Sequence, residues 1–413
     1  MTGVRNYALV TAAYWAFTVT DGALRMIVVL HFYRAGYDSV SIALLFLLYE
    51  FFGIVTNLFG GWIALRSGVR VTLYGGLILQ IAALLMLALL NPHWPVPASV
   101  AYAMGAQALS GIAKDLTKMS AKSAIKAIVP DGADGTLFKW VARLTGSKNA
   151  LKGVGFFVGG ALLSALGFVG ALTGMAAALF LVLLATAVAV PGDLGRSAKK
   201  VKFSSLLSKS REINRLSAAR LFLFAARDVW FVVGLPVFLS QIGWSFYGVG
   251  AFLAVWVIGY GFIQAAVPEL LAAFGRGKAV DGAAACLWAF VLLVVPIALG
   301  AALRFGGNAG LTLTVGLSIF AVVFAVNSAI HSYLVLSYAN EDSVALDVGF
   351  YYMANACGRL VGTLLSGVVF QLAGFHGSLW TSALLVLAAA ILSLSLPRGH
   401  AVRVLTTPRI TSD

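Results

Sequence analysis

Apolar runs of about 20 residues recur along the whole 413-residue chain, and that is the length an α-helix needs to cross roughly 30 Å of hydrocarbon. In lipid every backbone polar group must be satisfied within the segment, so such runs fold as helices. Short connections marked by Gly and Pro separate them, as in NPHWPVP at 91–97. Only 11% of residues are charged, and mean hydropathy is +0.94. A soluble domain has no use for so much apolar surface. The expected fold is an all-α membrane protein with twelve transmembrane helices.

The reading places spans at 6–32, 39–65, 70–91, 97–127, 136–166, 168–190, 213–240, 245–274, 279–303, 309–339, 342–374 and 376–396. The N-terminus has no small-residue cleavage site after a short apolar core, so it reads as a retained first span. The longest polar connection, GDLGRSAKKVKFSSLLSKSREINR, falls between spans six and seven. It divides the chain into an N-terminal six-helix bundle (1–191), a central loop (192–212), a C-terminal six-helix bundle (213–396) and a tail (397–413). Basic residues crowd the loops on one side, at Arg66, Arg70, Arg196, Lys199, Lys200, Lys202, Lys209, Arg276 and Lys278. By the positive-inside rule both termini are cytoplasmic.

The halves read as copies. A shift of 207 residues brings Asp21 onto Asp228, Gly36 onto Gly243, Gly68 onto Gly275 and Lys152 onto Arg359. The same shift brings GFVGAL (167–172) onto GFHGSL (374–379). Two parallel six-span repeats around a midplane site form a transporter plan.

Span four carries Lys114, Lys118, Lys122 and Lys126. A four-residue step turns about 400°, so these lysines make one slowly winding stripe about 18 Å long. Span five carries Lys139, Arg143, Lys148 and Lys152 in the opposite direction. Each charge at mid-bilayer costs roughly 2.5–3.5 kcal/mol. Lys126 and Lys139 can snorkel to the interface. The deeper ones need a wet cavity or a partner. The acids at hand are Asp21, Glu50 and Asp115, too few for Arg25, Lys114, Lys118, Lys122, Arg143, Lys148 and Lys152. A surplus of buried cations points to a polyvalent anion as guest, since Arg grips oxyanions bidentately and Lys serves as a mobile point charge.

The expected substrate-binding set is therefore Arg25, Lys114, Lys118, Lys122, Arg143, Lys148, Asn149, Lys152 and Arg359. Asp21, Glu50 and Asp115 are the candidates for proton coupling. No metal, cofactor or catalytic cluster is visible. Cys286 and Cys357 lie apart in apolar runs, and the five histidines are scattered. The +14 net charge is accounted for by basic loops and these spans, so nucleic acid is not implied. The partners implied are a small polyanion and membrane lipid. A membrane enzyme acting on lipid head groups would need a clustered acid, base or metal site. A receptor of this fold would bind an anion and move nothing.

The loop GGWIALRSGVR (60–70) resembles the signature loop of the major facilitator superfamily at Gly61, Arg66, Gly68 and Arg70. Leu65 stands where that loop usually has an acid, and Val69 at a basic position. The blocks YWAFTVTDGALRM (14–26), GIAKDLTKMSAKSAIK (111–126) and LTGSKNALKGVGFFVGG (144–160) resemble the ArsJ family of bacterial arsenic-resistance operons. That resemblance implies export of 1-arseno-3-phosphoglycerate across the inner membrane. It also implies functional pairing with a glyceraldehyde-3-phosphate dehydrogenase that makes the ester. Residue chemistry does not separate arsenate from phosphate, so an organophosphate/phosphate antiporter or another organic-anion exporter of the same fold is the alternative.

Overall fold

The computed structural model describes residues 2–126, 134–189, 210–274, 280–305, 308–338 and 344–398. Side chains are described there except at 2–4, 6, 58, 60–68, 122–123, 125–126, 134–146, 268–274, 336 and 344–346. The central loop (192–212) and the tail therefore lie largely outside the described residues, as do the side chains of Lys122, Lys126, Lys139 and Arg143.

Every described element is a helix. They run α1 (Thr2–Arg34), α2 (Ser39–Leu44), α3 (Leu47–Ala88), α4 (Val96–Lys126), α5 (Asp134–Ala189), α6 (Arg211–Phe231), α7 (Gly234–Gln241), α8 (Phe246–Phe274), α9 (Gly282–Arg304), α10 (Ala309–Tyr338) and α11 (Val344–Ser393). Among the described residues nine helical stretches are long and apolar enough to cross a membrane. Two of these, of 43 and 47 residues, each hold two spans. Gly167 (φ 68, ψ −175) breaks α5, and Gly374 (φ 62, ψ −163) breaks α11. Only glycine takes that backbone conformation without strain. Nine stretches, the two extra spans and the more polar α4 give the twelve.

Among the described residues four glycines have positive φ, and they form two pairs at the 207-residue offset: Gly36 (85) with Gly243 (91), and Gly167 with Gly374. The duplication thus extends to backbone geometry. Helix packing repeats as well. α1 lies against the first half of α5, and α6 lies against the first half of α11. Gly155 and Gly159 let α5 close on the backbone of α1, where an added Cβ would meet Val19 O at 2.4 Å and Ala23 O at 2.5 Å. Gly358 and Gly362 do the same for α11 against α6, at Leu221 O (2.2 Å) and Ala225 O (2.8 Å). Small residues replace the missing hydrophobic drive between helices in lipid.

The first and seventh spans, repeat partners, are the innermost, with 83% and 78% of their apolar windows buried. Their charges therefore meet protein, not lipid. The halves touch through α5 on α8 and through α2 and α3 on α11. Contact is tight toward the end that carries the 35–38 and 242–245 turns. There Gly367 faces Ser39 O at 2.4 Å and Gly160 faces Phe246 O at 2.6 Å, both measured from a built Cβ.

Candidate functional site

Spans one, two, four, five, seven and eleven bring their charges together between the halves. Asp21 and Arg25 sit four residues apart on α1, hence on one face. Tyr49 Oη donates to Asp21 Oδ1 at 2.6 Å, and Lys152 Nζ reaches Asp21 Oδ2 at 3.3 Å. Arg25 Nη2 donates to Glu50 Oε1 at 2.5 Å, with its guanidinium over the Phe46 and Tyr49 rings at 5.0 and 5.1 Å. Arg359 crosses from the other half and donates Nη2 to the same oxygen of Glu50 at 2.7 Å. Arg359 Nε also faces Asp228 Oδ2 at 3.5 Å, an ion pair too long for a hydrogen bond. Asp228 Oδ1 is held by Arg227 at 2.5 Å.

Beside this lies the lysine stripe of α4. Asp115 is fully buried and takes Lys118 Nζ on Oδ1 and the Thr56 hydroxyl on Oδ2 at 2.5 Å. Lys118 Nζ also donates to Asn57 Oδ1 at 2.7 Å. Lys114 has no carboxylate within ion-pair distance among the described residues. Its Nζ lies over the Tyr49 ring at 4.1 Å, against Gly53, where an added Cβ would stand 3.2 Å away. The Tyr49 ring thus carries two cations on its faces while its hydroxyl serves Asp21.

Lys148 is the outlier. It makes no hydrogen bond or ion pair among the described residues, and Lys118, Lys152, Arg359 and Lys114 all oppose its charge. Asn149 beside it lies at the α5–α8 contact, its Cβ 3.5 Å from a Cβ built on Gly261. Lys122 and Arg143, also expected here, fall outside the described side chains.

The expected row of unpaired cations is corrected in part. Arg25, Lys118, Lys152, Arg227 and Arg359 each have a carboxylate partner. The physical reason is sharing: Glu50 accepts two guanidiniums through one oxygen, and span seven contributes Asp228 across the seam. Asp21, Glu50 and Asp115, the proton-coupling candidates, are all tied to cations. A surplus persists among the described residues: Arg25, Lys114, Lys118, Lys148, Lys152, Arg227 and Arg359 against Asp21, Glu50, Asp115 and Asp228, seven against four, with Lys114 and Lys148 unmatched there.

Sequence reasoning missed Tyr49, Thr56 and Asn57 as the groups that orient the acids. It also missed the reach of Glu50 to Arg359, 309 residues away. The repeat offset held a usable signal, because Lys152 pairs with Asp21 as its repeat partner Arg359 pairs with Asp228.

No protein-family profile and no curated protein matches the chain. Two crystal structures of POT family transporters superpose on it over 94% of both chains, at 13% sequence identity. One is in complex with a thioalcohol-conjugated peptide (TM-score 0.74), the other with 5-aminolevulinic acid (TM-score 0.75). This multi-pass membrane protein therefore has the all-helical fold of the major facilitator superfamily, two six-helix halves with the charge cluster between them.

Proposed function

We propose that this protein is a secondary transporter that carries a small polyanion by alternating access of its two halves around the cluster. The observation that carries the reading is Lys148, a lysine at membrane depth that makes no ion pair or hydrogen bond among the described residues and whose charge is opposed by Lys118, Lys152, Arg359 and Lys114. A buried ammonium without a counter-charge is costly, and a bound anion supplies the missing partner. The guest enters between Lys148 and Lys114, with Lys118, Lys152 and Arg359 within reach. Its charge offsets their mutual repulsion and allows the halves to close on it.

An amino acid such as the 5-aminolevulinic acid held by one of the neighbouring crystal structures suits this site less well. Its ammonium group would need a free carboxylate, and Asp21, Glu50, Asp115 and Asp228 are all engaged. The resemblance to the ArsJ family narrows the guest to 1-arseno-3-phosphoglycerate, exported from the cytoplasm of a bacterial cell with both termini inside. That reading also pairs the transporter with a glyceraldehyde-3-phosphate dehydrogenase. Outward movement of a polyanion is favoured electrically by about 2.3 kcal/mol per charge per 100 mV, so no titrating carboxylate is required.

Transport by proteoliposomes of the purified chain, with phosphoglycerate as cargo and its arsenate ester formed in situ, tests this reading. Movement that follows an imposed membrane potential and ignores a pH gradient is expected. A requirement for the pH gradient would replace the electrical mechanism with proton antiport. Failure to move either ester would overturn the reading itself.

A further inference from the structure

The second half holds a buried cation that the cluster does not use. Arg220 on α6 is 4% exposed. Its Nε donates to Asn355 Oδ1 at 3.0 Å and its Nη1 to the Ser328 carbonyl at 3.2 Å. The rings of Phe224 (4.1 Å) and Tyr351 (5.2 Å) flank the guanidinium. Among the described residues no carboxylate stands within ion-pair distance of it. A guanidinium has five N–H groups, and two of these find protein acceptors here. Three residues beyond Ser328, on the same face of α10, lies His331, 1% exposed, with no hydrogen-bond partner at Nδ1. A buried arginine held by neutral groups, near an imidazole whose Nδ1 lacks a partner, has the chemistry to receive an oxyanion.

The repeat supplies the independent argument. At the 207-residue offset Asn355, which holds Arg220, is the partner of Lys148. The position that carries unmatched Lys148 in one half carries, in the other, the side chain that holds unmatched Arg220. Arg220 itself corresponds to Ala13, so this charge has no copy in the first half. Asn355 lies one helical turn from Arg359, about 6 Å along α11. Arg220 and Lys148 thus belong to opposite halves, and the side chain that holds Arg220 lies one turn of α11 from Arg359.

We propose that Arg220, oriented by Asn355 and assisted by His331, forms a second anion subsite. It takes one head of a guest whose other head is held by Lys148. The inference rests on the polyanion reading above and adds that the guest is two-headed, with oxyanions at both ends. Closure of the halves then requires both heads, because unmatched cations stand on both sides of the seam, Lys114 and Lys148 in one half and Arg220 in the other.

Two probes of similar size separate one head from two. Glycerol 3-phosphate carries a single phosphate, and 3-phosphoglycerate carries a phosphate and a carboxylate. Their affinities are measured by calorimetry on the full-length protein in detergent. The wild type is expected to prefer the two-headed probe by about ten- to a hundredfold, the range of charge-assisted hydrogen bonds. Arg220→Gln should collapse that ratio toward one. If Arg220→Gln does not yield a monodisperse protein, Arg220→Lys keeps the charge, loses the fork and should lower the ratio. An unchanged ratio in either variant overturns the subsite. A wild type that binds both probes equally overturns it as well, while the polyanion reading stands. A wild type that binds neither removes the reading and the subsite together.

Discussion

Arg359 Nη2 on the eleventh span lies 2.7 Å from Glu50 Oε1 on the second, and this bond ties one half of the protein to the other. Glu50 is 1% exposed and accepts Arg25 on the same oxygen. One carboxylate therefore binds two guanidiniums from opposite halves. Glu50→Gln keeps the shape, leaves Arg25 without a counter-charge and leaves Arg359 only its longer ion pair with Asp228. Loss of one partner from a buried ion pair costs about 3–5 kcal/mol. The variant should unfold at clearly lower temperature in detergent and should lose the contact between halves. Unchanged thermal stability would show that Arg25 needs no acid here.

Lys148 predicts the opposite sign. Its neighbours Lys118, Lys152, Arg359 and Lys114 all repel it. Lys148→Met keeps the length of the stem and removes the charge, so the empty protein should become more stable to heat. Transport should fall, because removal of one member of a buried charge pair costs about 2–5 kcal/mol of binding, more than tenfold in Kd. A variant that is less stable, or that transports at the wild-type rate, is inconsistent with an ammonium awaiting an anion.

Much of the fold was legible because its signals are local. Span length follows from apolar runs, and the breaks at Gly167 and Gly374 stand in the repeated blocks GFVGAL and GFHGSL. The lysines of α4 were legible as a stripe by their spacing alone. What Glu50 touches was not, since Arg359 is 309 residues away and only the meeting of the halves brings it near. The same holds for Tyr49, an aromatic in an apolar run until the folded chain puts Asp21 at its hydroxyl and Lys114 on its face. Arg220 was visible as a charge in span seven. That no described carboxylate reaches it depends on how other helices pack around it and could not be read from its neighbours in sequence.

The tight end of the seam rests on glycine. A Cβ on Gly160 would meet Phe246 O at 2.6 Å, and one on Gly367 would meet Ser39 O at 2.4 Å and the Ala43 Cβ at 2.5 Å. Backbone atoms cannot swing aside, so Gly160→Val should force α5 from α8 and open that end. A cysteine placed at Ala43, 1% exposed in the closed arrangement, should then react with an impermeant thiol reagent added on the side of the 35–38 turn. The same cysteine should be protected when Gly160 is retained. Equal labelling in both backgrounds would mean that these glycines do not seal the end.

Gly167 and Gly374 offer a cleaner test of the duplication. Both have φ near +65°, with ψ of −175° and −163°. A Cβ built on either meets nothing within 4 Å, so substitution there adds backbone strain and no clash. Residues other than glycine held in such regions cost about 1–3 kcal/mol each. Gly167→Ala and Gly374→Ala should therefore destabilise the protein by similar amounts. The double variant should show their sum, because the two turns lie in different halves and share no partner. Chemical denaturation of the three variants in detergent measures this. Unequal losses, or a double variant no worse than either single one, would show that the two turns are alike in geometry and not in the work they do.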